Sequence, residues 1–240
     1  MKKLLSMALC LLANASLLSA MTVSPLVKFD FTTVSDTSGY YTGSLKSGAT
    51  LTTFSGKPIL DLGSNNGYFD FGSSIGDVIS HLDAYSMSVN LFIPTSSTIT
   101  GAGNFIWCFA KSSSTGYQFL GAKESRCATT LTNYSGEQNV NAGSAFTKGK
   151  WVNVTYTQSG GVGKLYIGGV LKATNSSMSI TLQNIGKTTQ NYLGRSCYIG
   201  DALLKGAQYN DFRIYNAALT DTDAAELSQN VDSLNLPIEQ

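Results

Sequence analysis

The sequence predicts an all-β protein: a two-sheet antiparallel sandwich of jelly-roll type with one short helix near its C-terminus. Three observations carry this expectation. Short alternating apolar and polar runs are separated by Gly, Ser, Asn and Asp, which is the pattern of strands and turns. Glycine pairs at 160–161 and 168–169 fall between such runs, where hairpin turns need positive φ. A single stretch, after Thr220, carries helix signals.

Along the chain, Lys2 and Lys3 precede an apolar run from Leu4 to Leu18, and Ser19-Ala20 offers a small-residue cleavage site. Residues 1–20 therefore read as a signal peptide, too short for a membrane span, and the rest as secreted, periplasmic or on the cell surface. No transmembrane segment is expected after cleavage. Cys10 invites a lipoprotein reading, but bulky Leu9 precedes it where such a site wants a small residue.

Residues 21–232 read as one domain. Val27 to Phe31 opens it by clean alternation, and Asp36-Thr37-Ser38-Gly39 follows as a turn. Strands are expected at Pro58–Leu62 and Tyr68–Phe71, and then at Ser86–Ile93, whose period of two predicts one buried and one solvated face. Further strands are expected at Phe105–Ala110, Gln118–Gly121, Cys127–Leu131, Trp151–Gln158, Lys164–Ile167 and Val170–Ala173. From Tyr209 to Tyr215, Phe212 and Ile214 share one face, and Asp211, Arg213 and Tyr215 the other. Thr220 reads as an N-cap, with Asp221 and Asp223 in the first turn and Ala224, Leu227 and Val231 as the apolar stripe. Residues 233–240 read as a loose tail or a linker stub.

Without the first twenty residues, 220 remain (240 − 20), with 14 basic (16 − 2) and 15 acidic side chains. That net charge of −1 offers no basic stripe, so nucleic acid is not an expected partner. Three cysteines remain, Cys108, Cys127 and Cys197. Cys108–Cys127 is a possible bridge; three small buried thiols is the other reading. Asn133, Asn153 and Asn175 each begin an N-x-S/T sequon.

Catalytic equipment is sparse. His81 is the single histidine, which rules out a His-rich zinc site and reads as solvated or core-edge. The glycines at 101–103 and 160–163 read as hairpin tips, without the residues of a phosphate loop. Glycoside hydrolysis needs two carboxylates flanking the bond, and only Asp221 and Asp223 have i, i+2 spacing, at the helix start. Asp61, Asp70, Asp77, Asp83, Glu124, Glu137, Asp201 and Asp211 stand apart along the chain, so the expectation is a binding domain and not an enzyme.

Gly149-Lys150-Trp151-Val152-Asn153-Val154-Thr155-Tyr156-Thr157, followed by Lys164-Leu165-Tyr166-Ile167-Gly168-Gly169-Val170-Leu171, resembles the laminin-G-like group of concanavalin A-like sandwiches. The C-terminal run is similar to the same group: Asn191-Tyr192-Leu193-Gly194-Arg195-Ser196, Gly200-Asp201, then Asn210-Asp211-Phe212-Arg213-Ile214-Tyr215 through Leu219. This ending is common in bacterial secreted proteins of polysaccharide use, and the resemblance covers about residues 24–228. Gly168 stands where the group usually has Asp, and Asn153 where it often has His. The fold implied hosts lectins, hydrolases and adhesive modules alike.

The resemblance implies a non-catalytic extracellular binding module whose partner is a glycan or a surface protein. Alternatives are a protein-interaction or adhesion domain and the N-terminal accessory domain of a larger glycoside hydrolase. Sugar binding would use aromatic faces, with Trp107, Tyr117, Tyr192 and Tyr198 as candidates beside Arg195; Tyr134 and Tyr209 are further aromatics to weigh. Arg195 either bridges strands, with Asp201 as partner, or presents its fork of donors to a ligand. The resemblance also implies one structural Ca²⁺ between the first and last strands, with Asp211 as ligand and Asp30 nearby. The competing role for Asp211 is pairing with Arg213 or Arg195.

Overall fold

A computed structural model describes Met21, residues 23–99 and residues 101–235; residues 1–20, where a signal peptide is expected, lie outside the described residues. Alternating runs become strands wherever one side of the run can be buried. In chain order these are β1 (Val27–Phe29), β2 (Ser44–Lys46), β3 (Thr50–Phe54), β4 (Lys57–Asp61), β5 (Tyr68–Asp70) and β6 (Tyr85–Phe92). Then come β7 (Phe105–Ser112), β8 (Thr115–Gly121), β9 (Arg126–Thr130), β10 (Gln138–Asn141), β11 (Trp151–Ser159) and β12 (Val162–Ile167). The last are β13 (Val170–Asn175), β14 (Gln190–Leu193) and β15 (Gln208–Tyr215). Helices are short: α1 (Ser73–Ile79), α2 (Leu182–Ile185), α3 (Asp221–Gln229) and α4 (Asp232–Asn235).

One sheet has eight strands in the order β13-β12-β11-β6-β15-β4-β3, with β1 also on β15; the other has seven, β10-β9-β8-β7-β14-β5-β2. Every pairing between named strands is antiparallel, so the described residues form the expected sandwich. Gly168 and Gly169 close the β12–β13 hairpin at φ 59° and 73°, the positive values that a two-residue turn of this hand needs. In β15 the register shifts between Asn210 and Arg213, and Asp211 takes φ 55° there. That bulge lets β4 pair with the start of β15 and β1 with its end.

Between the sheets lies an aromatic core. Phe71 is the hub, with Phe29 and Phe212 each at 5.0 Å between ring centres and Phe69 at 5.2 Å. Phe212 and Ile214 point inward as the alternation of β15 predicts, and Trp151, Tyr156 and Tyr166 are buried.

The strand β6 departs from expectation. Its polar side chains Ser86, Ser88 and Asn90 are buried, not solvated. They meet the polar faces of β11 and β15 in a hydrogen-bonded row. Asn153 Nδ2 donates to Asn90 Oδ1 at 2.9 Å and to Ser88 Oγ at 3.1 Å, and Asn90 Nδ2 donates to Asn210 Oδ1 at 3.0 Å. Asn210 Nδ2 continues the row to the Pro58 carbonyl at 2.7 Å. The C-terminal segment covers this face: α3 packs on β11 and β13, and Ser86 Oγ donates to the Ala217 carbonyl at 2.8 Å. Periodicity shows which residues share a face but not what lies over it.

Thr220 caps α3 as predicted, accepting from Asp223 N at 3.1 Å while the Asp223 carboxylate accepts back from Thr220 N. The expected loose tail is instead partly docked. In α4, Leu234 is buried with Trp151 and Ile59, and the Asn235 amide accepts from Trp151 N and donates to Trp151 O, each at 3.0 Å. Residues 236–240 lie outside the described residues.

Candidate functional site

The seven-stranded sheet has two dissimilar faces. Trp107, Phe109 and Leu120 point into the main core, while Phe105, Cys108, Ala110, Tyr117, Phe119 and Ala128 form a second apolar layer on the outside. Alternation alone would put Phe105 on the same side as Trp107. A register shift between Phe105 and Trp107 in β7 turns Phe105 outward. There it stacks on Phe119, with ring centres 3.8 Å apart and planes within 4°.

This stack floors a cleft of about 470 Å³ whose walls come from four separate stretches of sequence. From β8–β9 come Lys123, Glu124 and Arg126; from the next turn Tyr134 and Glu137; from the segment after β14 Tyr198 and Asp201; and from the loop before β7 Gly101 to Gly103. Gly103, expected at a hairpin tip, instead pairs with Ala202. Its φ is +83°, and a Cβ there would stand 2.4 Å from the Ala202 carbonyl oxygen, so this wall requires glycine.

A chain of polar contacts joins the walls. Arg126 stacks over Phe119 at 5.1 Å from the ring centre and pairs with Glu137 Oε2. Tyr117 donates from its hydroxyl to Glu137 Oε1 at 2.6 Å and lies 3.1 Å from the Tyr198 hydroxyl. Burial, with Glu137 and Tyr198 beside it, pushes the Tyr117 phenol far above its usual pKa, so it stays a neutral donor. Tyr198 Oη also accepts from Tyr134 N at 3.1 Å, and Tyr134 itself is 73% exposed at the rim. On the other wall, Asp201 accepts from Ser196 Oγ at 2.7 Å.

The predicted site residues divide between several places. Tyr198 lines the cleft, and Tyr117 lies buried beneath it as support. Tyr192 and Arg195 form a separate cluster on the same face, where the guanidinium sits 4.6 Å from the Tyr68 ring centre and 5.3 Å from that of Tyr192. Arg195 thus stacks on two tyrosines, and Asp201, its expected partner, binds Ser196 instead. Trp107, expected at the site, is instead fully buried on the inner face, its Nε1 donating to Gln118 Oε1 at 3.0 Å, so it has no ring face to offer. Tyr209 is likewise core, donating to the Ile106 carbonyl at 3.0 Å. The Cys108–Cys127 bridge is excluded by geometry, because Cys108 faces outward and Cys127 inward from neighbouring layers. Asn153 is buried in its sequon, and His81 is exposed after α1.

The three acids read as isolated, Glu124, Glu137 and Asp201, converge on this cleft. Glu137 spends both oxygens on Tyr117 and Arg126, and Asp201 is bonded to Ser196. The sequence signal for the cleft lay in the turn Asn133-Tyr134-Ser135-Gly136-Glu137, where an aromatic and an acid flank an Asn-capped turn.

Asp30 and Asp211 do line one shared cavity. The residues around them do not fit Ca²⁺. Both oxygens of Asp211 are taken by the Arg213 guanidinium, with Lys28 Nζ 3.7 Å away, and Asp30 Oδ1 accepts from Thr32 N and Oγ1 at 3.0 and 2.7 Å. Two cationic side chains already supply the positive charge that a metal would bring.

The profile of the concanavalin A-like lectin/glucanases superfamily matches residues 63–225. The chain belongs to this superfamily. No curated protein matches it. Among solved structures, domain 4 of AbnA, a GH43 extracellular arabinanase from Geobacillus stearothermophilus in complex with arabinotriose, superposes with a TM-score of 0.71 at 18% identity. The match covers 86% of this chain and 99% of that domain. The receptor-binding domain of botulinum neurotoxin mosaic serotype C/D gives a TM-score of 0.66 at 18% identity, over 86% of this chain and 51% of that one. The binding domain of botulinum neurotoxin DC in complex with rat synaptotagmin II gives 0.63 at 19%, over 87% and 52%. This superfamily member thus spans about half the length of the toxin binding domains, and at these identities the likeness is one of fold. Among the described residues, no helix is long and apolar enough to cross a membrane.

Proposed function

We propose that this superfamily member is a non-catalytic carbohydrate-binding module that holds a neutral glycan chain in the cleft on the outer face of the seven-stranded sheet. The observation that carries this reading is the cleft itself: a stacked Phe105–Phe119 floor under a rim of hydroxyls, carboxylates and a guanidinium. Sugar rings have apolar faces and hydroxyl edges, and a floor and rim of this kind complement both. The five charged lining residues nearly cancel, two basic against three acidic, which suits an uncharged ligand. Fold kinship with an arabinanase domain bound to arabinotriose agrees with this class of ligand. The module acts outside the cytoplasm, consistent with the signal-like segment at residues 1–20, and serves a larger polysaccharide-degrading system.

Affinity gels containing arabinan and other plant, algal and host polysaccharides test the reading. Retarded migration on at least one gel is expected, and Tyr134→Ala weakens it about ten-fold by removing an aromatic contact. Uniform failure to bind would sink the proposal, and release of reducing ends would overturn its non-catalytic part. A protein partner at this face is the second reading, favoured by Ile199, which stands 89% exposed beside Tyr198. A pull-down that recovers a protein while sugars fail to compete would favour it.

A further inference from the structure

Three thiols lie within the sandwich, and the seven-stranded sheet separates them. Cys127 faces the core, where its sulfur accepts from Gln118 Nε2 at 2.9 Å. Cys108 projects from the opposite face of β7. Above it runs the segment from Arg195 to Asp201, which crosses that face and brings Cys197 into the same apolar layer. Cys108 and Cys197 belong to one buried apolar cluster on this face, and each thiol shifts the pKa of the other. They are only 0% and 3% exposed.

We propose that Cys108 and Cys197 are a redox-modification site, oxidised to a disulfide when the chain folds in an oxidising compartment. The bond fastens the segment that carries Arg195, Tyr198 and Asp201 onto the sheet. Tyr198 bridges Tyr117 and the Tyr134 backbone, so the staple fixes the cleft wall in its ligand-ready position.

The oxidant is a disulfide, either that of a thiol oxidase or oxidised glutathione. The Cys197 thiolate attacks one of its sulfurs, forming a mixed disulfide and expelling the other as a thiolate. Cys108, after losing its proton, then displaces the second sulfur and closes the Cys108–Cys197 bond. Two thiols become one disulfide, and two electrons and two protons pass to the oxidant, which becomes two thiols. The pair is polarised for this order. Cys108 beside it holds the Cys197 thiol below its usual pKa, whereas burial and the neighbouring Cys197 push Cys108 well up. Cys197 sits on a segment outside the regular strands and is the sulfur an exchange partner can reach when that segment lifts.

The test is direct. The full chain is equilibrated in oxidised or reduced glutathione, alkylated under denaturing conditions, digested and weighed. The oxidised sample is expected to yield one linked peptide pair containing Cys108 and Cys197, about 2 Da lighter than the sum of the two unalkylated peptides. Cys127 remains alkylatable, as does Cys10 where residues 1–20 are retained. The melting temperature of the oxidised form rises by about 5–10 °C, as expected for a long closed loop in a domain of this size. Cys127→Ser leaves the linked pair intact, and Cys197→Ala abolishes it. Full alkylation of Cys108 and Cys197 in oxidised glutathione overturns the proposal, as does a bridge through Cys127. The wild-type measurement needs no variant to fold and no ligand, so its failure is distinct from failure of the glycan reading.

Discussion

Arg126 lies 5.1 Å above the centre of the Phe119 ring while its guanidinium holds Glu137. One side chain thereby ties the apolar floor of the cleft to its polar wall. The Arg126 side chain is 26% exposed and that of Glu137 9%, which puts the pair between surface and buried regimes. Arg126→Ala is expected to cost about 2 kcal/mol in urea unfolding, because it strands a nearly buried carboxylate. The same variant is expected to lose retardation on the polysaccharide gel that binds the wild type.

Trp107 offers the opposite contrast. Trp107→Phe keeps most of the ring volume but leaves Gln118 Oε1 without its donor, for a cost of about 1–3 kcal/mol. Glycan affinity is expected to stay within two-fold of wild type, because the indole faces away from the cleft. A large loss of affinity in a folded variant would return Trp107 to the site.

Asp221 makes stability depend on pH at both ends. Its carboxylate accepts from Tyr166 Oη at 2.6 Å and from Lys164 Nζ at 3.1 Å, and these bonds hold its pKa below the usual carboxylate value. A depressed acid contributes stability above its unfolded pKa and loses it as pH falls through the folded one, here below about pH 4. Tyr166 works in the other direction: burial and Asp221 raise its phenol to about 12. Its contribution is complete below pH 10 and disappears as pH rises from about 10 to 12. Melting curves between pH 2 and 12 should show both losses, and Asp221→Asn should flatten the acid one.

Calcium gives a sharp comparison. With Arg213 and Lys28 around Asp211, melting temperatures in EDTA and in millimolar Ca²⁺ are expected to agree. A Ca²⁺-dependent rise of several degrees would mean that Asp211 exchanges its arginine for a metal.

Local chemistry was readable wherever backbone geometry dictates residue type. The Gly168-Gly169 turn, the Thr220 cap and the inward pair Phe212 and Ile214 all follow from rules spanning a few residues. The short strands β2, β3, β10 and β14 escaped notice because they gain their order from neighbours and not from their own alternation. The cleft was harder still. Sequence reasoning points to Tyr198 but to neither Phe119 nor Arg126. The bulge that turns Phe105 outward leaves no residue-type signal, and the acids Glu124, Glu137 and Asp201 meet only after the chain has folded.

The amide and hydroxyl row across β11, β6 and β15 also bears on how the sandwich assembles. Shifting β11 by a single residue against β6 would set Asn153 opposite Val89 or Leu91 in place of Asn90. A buried amide would then face methyl groups, and Asn153 would lose both of its acceptors on β6, Asn90 Oδ1 and Ser88 Oγ, at once. A purely apolar face would tolerate such a slip far better. The row therefore acts as a key cut for one alignment, making mispaired intermediates costly while the long-range strands β6, β11 and β15 find each other.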